Sequence, residues 1–159
     1  MKKLFSITTL LIFSCNSITL SEIEKGDDEI IILSYLKIKN SSKKKIYNFL
    51  ENYVDKVILV EPQSYGYGFY EYGEDILFIE RFKNEGAIIS HAKNVSEGGV
   101  LQKDYTEYNY YFEPYKVDVF GKVSQDLIDY LKPYNLPIFY YPNIVSFSKG
   151  YESKWEELK

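Results

Sequence analysis

The 159-residue chain has one cysteine, one histidine, one methionine and one tryptophan. A lone thiol cannot close an intrachain disulfide, and with a lone imidazole it cannot build an all-protein Cys/His zinc site. Positive charge is also short. Nineteen Lys and Arg against 23 Asp and Glu leave a formal net charge of −4, without the basic footprint that a nucleic-acid partner requires. There is no low-complexity tract and no long internal repeat. What the chain has in quantity is aromatic side chains: 17 Tyr, 10 Phe and the Trp make up 18% of it, within a 45% hydrophobic composition. Such a composition argues against disorder. The length suits one domain, which at this size buries roughly two-thirds of its unfolded surface and needs no disulfide support.

The first residues read as an address. Lys2 and Lys3 precede an apolar run from Leu4 to Phe13, too short to span a bilayer as a stable helix. The run ends in Ile12-Phe13-Ser14-Cys15, which resembles a bacterial lipobox, with Phe13 where a small residue is usual. This resemblance implies a signal peptide over 1–14, lipidation of Cys15, and an exported protein held at the cell-envelope membrane by its lipid. The alternatives are an ordinary signal peptide cut beyond Cys15 and an uncleaved anchor. Residues 15–28 then form the lipidated cysteine and a polar, acidic tether.

Beyond the tether, Glu29 to Ile38 is short and rich in β-branched residues, which predicts a mostly buried strand. Ser41 or Ser42 can cap a helix whose Ile46, Phe49, Leu50, Tyr53 and Val54 fall on one face. Val57 to Val60 and Tyr65 to Tyr72 read as strands, and Ile76 to Phe82 as the return of a hairpin. Tyr65, Tyr67 and Phe69 share a face by the period of two. Asn84 caps a second helix with Ala87, Ile88, His91, Ala92 and Val95 inward, closed by Gly98-Gly99. Tyr105 to Phe120 reads as one long extended stretch. Ser124 caps a third helix, ended by Pro133. Leu136 to Tyr141 and Ile144 to Phe147 read as closing strands.

The order β-α-β-β-α-β predicts an α+β fold: a ferredoxin-like antiparallel sheet with two helices on one face, over 29–112. A C-terminal βαβ extension of the same domain follows over 113–150, and a polar tail over 151–159. The other sheet face would carry Tyr and Phe. Pairing two such faces would bury them and enclose a pocket, so a homodimer is expected, with the pocket between its two sheets.

One segment resembles a known family. Glu61-Pro62-Gln63-Ser64-Tyr65-Gly66-Tyr67-Gly68-Phe69-Tyr70 is similar to the Glu-Pro-Gly-x-x-x-Tyr-x-x-Tyr segment of the antibiotic biosynthesis monooxygenase family, with Gln63 in place of the usual Gly. The strand Ile79-Glu80-Arg81-Phe82 and the helix with Ala87 and His91 follow in the family's order, and the likeness covers 57–95. It implies a dimeric α+β barrel that oxidises a small phenolic or quinol compound with O₂, using neither metal nor flavin and no other cofactor. In such a site the protein supplies a dry pocket, orientation and proton transfer.

Carried onto this chain, the resemblance makes His91 the general base. Arg81 becomes a donor to a phenolate or peroxide-like anion, and Tyr67 a polar partner of the substrate, while Tyr35, Tyr65 and Phe69 contact the ligand ring. Each has a plainer reading. His91 lies in a stripe that core packing explains, Glu80 and Arg81 on a strand are solvated or paired, and the tyrosines are sheet core or interface. The alternative function is a non-catalytic dimeric lipoprotein that binds a small ligand or packs against envelope partners.

Overall fold

A computed structural model describes residues 28–39 and 42–144. The expected signal peptide, Cys15, the tether up to residue 27, Ser41, the strand expected over 144–147 beyond Ile144, and the tail with Trp155 lie outside the described residues.

The central strand β1, Ile30–Ile38, buries every second side chain: Ile30, Ile32, Ser34 and Leu36. Helix α1, Lys43–Val60, presents Ile46, Phe49, Leu50, Tyr53 and Val57 to the same side. The strand expected over Val57 to Val60 is instead the last turn of α1. Val57 continues the helical stripe four residues after Tyr53, while Ile58 and Leu59 point outward. Pro62 then turns the residue before it, Glu61, out of the helical region. Strands β2, Ser64–Tyr72, and β3, Asp75–Phe82, form the expected hairpin. Helix α2, Glu85–Val95, starts at Asn84, whose side-chain oxygen accepts from the Ala87 amide at 3.1 Å, and Gly98 at φ 81° turns the chain after it.

The extended stretch expected from Tyr105 onward is corrected. Its first part is a helix, α3, Gln102–Tyr111, and only Phe112–Phe120 is strand, β4. Leu101, Tyr105, Tyr108 and Phe112 recur at helical spacing and pack into the core, so burial of that stripe overrides the β-preference of tyrosine. Helix α4, Gln125–Leu131, begins at the Ser124 cap, passes into a 3₁₀ turn at Lys132–Tyr134, and leads to β5, Ile138–Tyr141.

The sheet order is β2-β3-β1-β4-β5, antiparallel except for β5, which runs parallel to β4. The first four strands with α1 and α2 make the ferredoxin-like βαββαβ unit. The α4–β5 segment extends its edge, and α3 is inserted before β4. The helices share one face, where the core has two lobes, one around α1 and α3 and the other around α2 and α4. The other face carries half-buried Leu33, Tyr35, Leu77 and Ile79 and exposed Tyr70, Tyr72, Tyr115, Phe120, Phe139 and Tyr141.

The turn after β4 has little freedom. Gly121 sits at φ 136°, where a Cβ would lie 2.9 Å from the Glu29 carbonyl oxygen and 3.3 Å from Ile30 Cα. Gly121→Ala should therefore cost more than ~1 kcal/mol, combining an unfavourable φ with a backbone clash. Urea unfolding should show a lower midpoint at unchanged slope.

Candidate active site

Four polar side chains meet on the helix side of the sheet. Glu61 caps the end of α1, Tyr67 stands on β2, Glu80 on β3 and His91 on α2. Glu80 follows Ile76 and Phe78 on the inward alternation of β3 and precedes Phe82, so strand geometry forces a carboxylate into an apolar layer. His91 takes the inward position that its stripe predicts.

His91 Nδ1 donates to Glu61 Oε1 at 2.9 Å. Glu61 also accepts from Asn94 Nδ2 at 3.1 Å and from Ser64 Oγ at 3.0 Å. Tyr67 Oη donates to Glu80 Oε1 at 2.7 Å and lies 3.0 and 3.3 Å from the two His91 ring nitrogens. His91 Nε2 is 3.7 Å from Glu80 Oε1. Three donors on Glu61 identify it as the ionised partner. Since the Tyr67 proton goes to Glu80, its oxygen is left to accept from an imidazole N–H. The pattern places a proton on Nδ1, which faces both Glu61 and Tyr67.

The proton affinities follow. Burial alone would raise the Glu61 pKa, but the hydrogen bond and charge of His91, with those of Asn94 and Ser64, hold it below the ordinary carboxylate value. Burial would lower His91, but the Glu61 bond and the charges of Glu80 and Glu61 raise it. Glu80 is raised by burial, which outweighs His91 and the Tyr67 bond. Burial also pushes the Tyr67 hydroxyl well above its usual value, so it remains a donor. His91 thus holds its second proton more readily than a free imidazole, and Glu80 gains a proton more readily than a free carboxyl group.

Glu80 and His91 line a cavity of about 120 Å³ whose other walls include Phe78, Phe82, Tyr53 and Tyr108. Tyr67 bonds to Oε1 of Glu80, and the carboxylate also lines the cavity, where it can meet a ligand donor. Ser34, on the central strand, adds a hydroxyl to the lining. Among the described residues no group of three His, Cys, Asp or Glu side chains is placed to hold a metal ion.

The sequence-predicted residues divide between the two sheet faces. His91 and Tyr67 come together. Phe69 lies nearby on the same face, stacked on Phe78 with ring centroids 4.1 Å apart. Tyr65 is half-buried at the register shift where β2 begins. Arg81 and Tyr35 are on the opposite face: Arg81 Nε donates to Glu29 Oε1 at 2.7 Å, and Tyr35 packs edge-on against Tyr72. Alternation along β1 and β3 requires this, since their neighbours Ser34 and Glu80 point inward. The pocket expected between two sheets is corrected in the same way. The cavity that holds His91 lies within one chain, between sheet and helices. Glu61 and Glu80 were missed as site residues, although Glu80 could be found as a lone carboxylate on an apolar alternation.

No protein-family profile matches the sequence, and no curated protein is detectably similar to it. The fold does have counterparts among solved structures. MupZ from Pseudomonas fluorescens superposes with a TM-score of 0.59 at 15% identity, over 75% of this chain and 94% of that one. A conserved protein from Methanosarcina mazei Go1 gives 0.49 at 16% identity, over 62% and 96% of the two chains. A protein proposed as an antibiotic biosynthesis monooxygenase from Bacteroides thetaiotaomicron gives 0.46 at 14%, over 63% and 92%. The likeness to MupZ shows a shared fold.

Proposed function

We propose that this protein is a cofactor-independent, monooxygenase-like enzyme that oxidises a small phenolic or quinol compound with O₂. The observation that carries the reading is the hydrogen-bonded Glu61–His91–Glu80–Tyr67 cluster, of which Glu80 and His91 line an apolar cavity. All four residues fall in the segment, 57–95, whose motif resembles the monooxygenase family.

In the simplest reaction, an oxidation that leaves no oxygen atom on the product, a quinol gives two electrons and two protons to O₂, yielding quinone and H₂O₂. The substrate hydroxyl donates to Glu80, which takes its proton. The resulting phenolate, a far better reductant of O₂, is held by the His91 cation, and that charge also favours the anion formed as O₂ is reduced. Both protons end on H₂O₂, so Glu80 returns to its starting state. His91 acts here as electrostatic stabiliser, and the base is Glu80. Apolar walls keep water from competing for the charge.

The aromatic open face of the sheet supports a homodimer, because exposed apolar surface of this extent is unusual on a soluble monomer. The partner copy would cover that face and contribute nothing to the cavity. The lipobox-like sequence supports lipidation at Cys15 and location at the envelope membrane. Among the described residues no helix is long and apolar enough to cross a membrane.

The test uses the full chain purified in detergent, with O₂ consumption measured on a panel of hydroquinones. Wild type should consume O₂ above buffer. His91→Ala should lose about 10²–10³-fold, as when an anion-stabilising donor is removed. Uptake equal to buffer rejects the enzyme, and ligand binding without uptake moves the reading to a binding protein. Native mass should be twice that of one chain, and mass spectrometry should find acylated Cys15.

A further inference from the structure

Part of the cavity wall comes from outside the βαββαβ unit. Leu131, Tyr134, Leu136 and Ile138, from α4, the 3₁₀ turn and the approach to β5, line it together with residues of the core fold. Without this segment β4 would be the sheet edge, and the cavity would lack a wall there. Tyr134 is the most exposed of the four, 36% accessible while lining the cavity, so it reaches from solvent to the interior. Ser96, just past α2, gives its hydroxyl proton to the Ala92 carbonyl at 2.6 Å, which leaves its oxygen to accept from Tyr134 Oη at 3.2 Å. One hydrogen bond therefore ties the extension to the end of the helix that bears His91. Asn135, in the left-handed region at φ 50° and ψ 38°, turns the chain sharply behind Tyr134.

We propose that Tyr134 gates the cavity and that the α4–β5 segment restricts it to a ligand with a single aromatic ring. A cavity of about 150 Å³ holds one benzene. At about 120 Å³ this one is closer to the size of a single ring than to that of two fused rings. The gate is weakly held, since its hydroxyl is tied only by neutral bonds to other hydroxyls, those of Ser96 and Tyr130. The phenolic character of the ligand rests on the function proposed above, whereas the size limit rests on the cavity and its gate.

The experiment titrates the full chain with benzene, naphthalene, phenol and 1-naphthol, following the NMR signals of its single histidine. Wild type should bind the one-ring probes and bind the fused-ring probes at least about tenfold more weakly, a discrimination that pocket shape can supply. Tyr134→Ala should gain at least about tenfold for naphthalene while benzene changes less than about threefold. Tyr134→Leu repeats the test with more packing retained. Tyr134→Phe, which removes only the latch, should speed ligand exchange at unchanged affinity. Equal affinity of wild type for one and two rings, or a parallel change for both in Tyr134→Ala, overturns the gate. Benzene bound and phenol refused leaves the gate standing and rejects the phenolic reading. Refusal of all four probes rejects both.

Discussion

Glu61→Ala should destabilise the protein by about 3–5 kcal/mol, the cost of removing one partner from a buried ion pair. The carboxylate accepts from His91, Asn94 and Ser64 at once. Its loss leaves the imidazolium with only the longer Glu80 contact at 3.7 Å, and leaves the Asn94 and Ser64 donors without this acceptor. A loss below about 1 kcal/mol would be that of an exposed pair and would mean that His91 is neutral in the native state.

The pH dependence separates these cases. Glu61 has a folded pKa below its ordinary value, so its contribution is fully present above that ordinary value and is lost as pH falls through the folded one. His91 has a folded pKa above 6.5, so its contribution is fully present below 6.5 and is lost as pH rises through the folded value. Wild type should therefore lose stability on both sides of neutrality. In Glu61→Ala the alkaline loss should shrink, because burial then pulls the His91 pKa down with only Glu80 opposing it. The chain has one histidine, so a single imidazole NMR titration reads this directly. An unchanged titration would mean that Glu61 does not hold the proton on His91.

The sequence shows the components of this site more clearly than their assembly. The inward direction of His91 follows from its stripe, and the opposed directions of Glu80 and Arg81 follow from strand alternation. The same alternation makes Glu80 an anomaly among Ile76, Phe78 and Phe82. The pairing of Glu61 with His91, thirty residues apart, cannot be read locally. It depends on where α1 ends, and the strand reading of Val57 to Val60 misplaced that end. The α3 helix was obscured because Tyr105, Tyr108, Tyr110 and Tyr111 favour strands in isolation, and only the buried Leu101–Tyr105–Tyr108–Phe112 face reveals the helical period. Gln63 replaces the glycine of the family motif without requiring a left-handed backbone, since Asn135 is the only non-glycine at positive φ among the described residues. Arg81 entered through the motif, and Tyr35, outside it, through the site that the resemblance implies. Strand geometry alone sends them to the face away from the cavity.

Glu80→Gln should separate catalysis from stability. The amide keeps the shape of the side chain, and its oxygen can still accept the Tyr67 proton now given at 2.7 Å. It cannot take a proton from substrate. If Glu80 is the base, kcat should fall about 10²–10⁴-fold. Stability should hold or rise near neutral pH. The folded pKa of Glu80 is raised, so keeping it ionised costs free energy as pH climbs from its ordinary value through the folded one, and the amide escapes that cost. The contact with His91, at 3.7 Å, is too long to offset it fully. In wild type the same shift places the acid limb of the rate profile above the ordinary carboxylate range, while deprotonation of His91 sets the alkaline limb. Residual activity in Glu80→Gln should lack the acid limb. A kcat within about threefold of wild type, with both limbs intact, would place the base elsewhere, since a positioned general base is worth far more than that. A lost rate together with a collapsed urea midpoint would assign Glu80 to the fold alone.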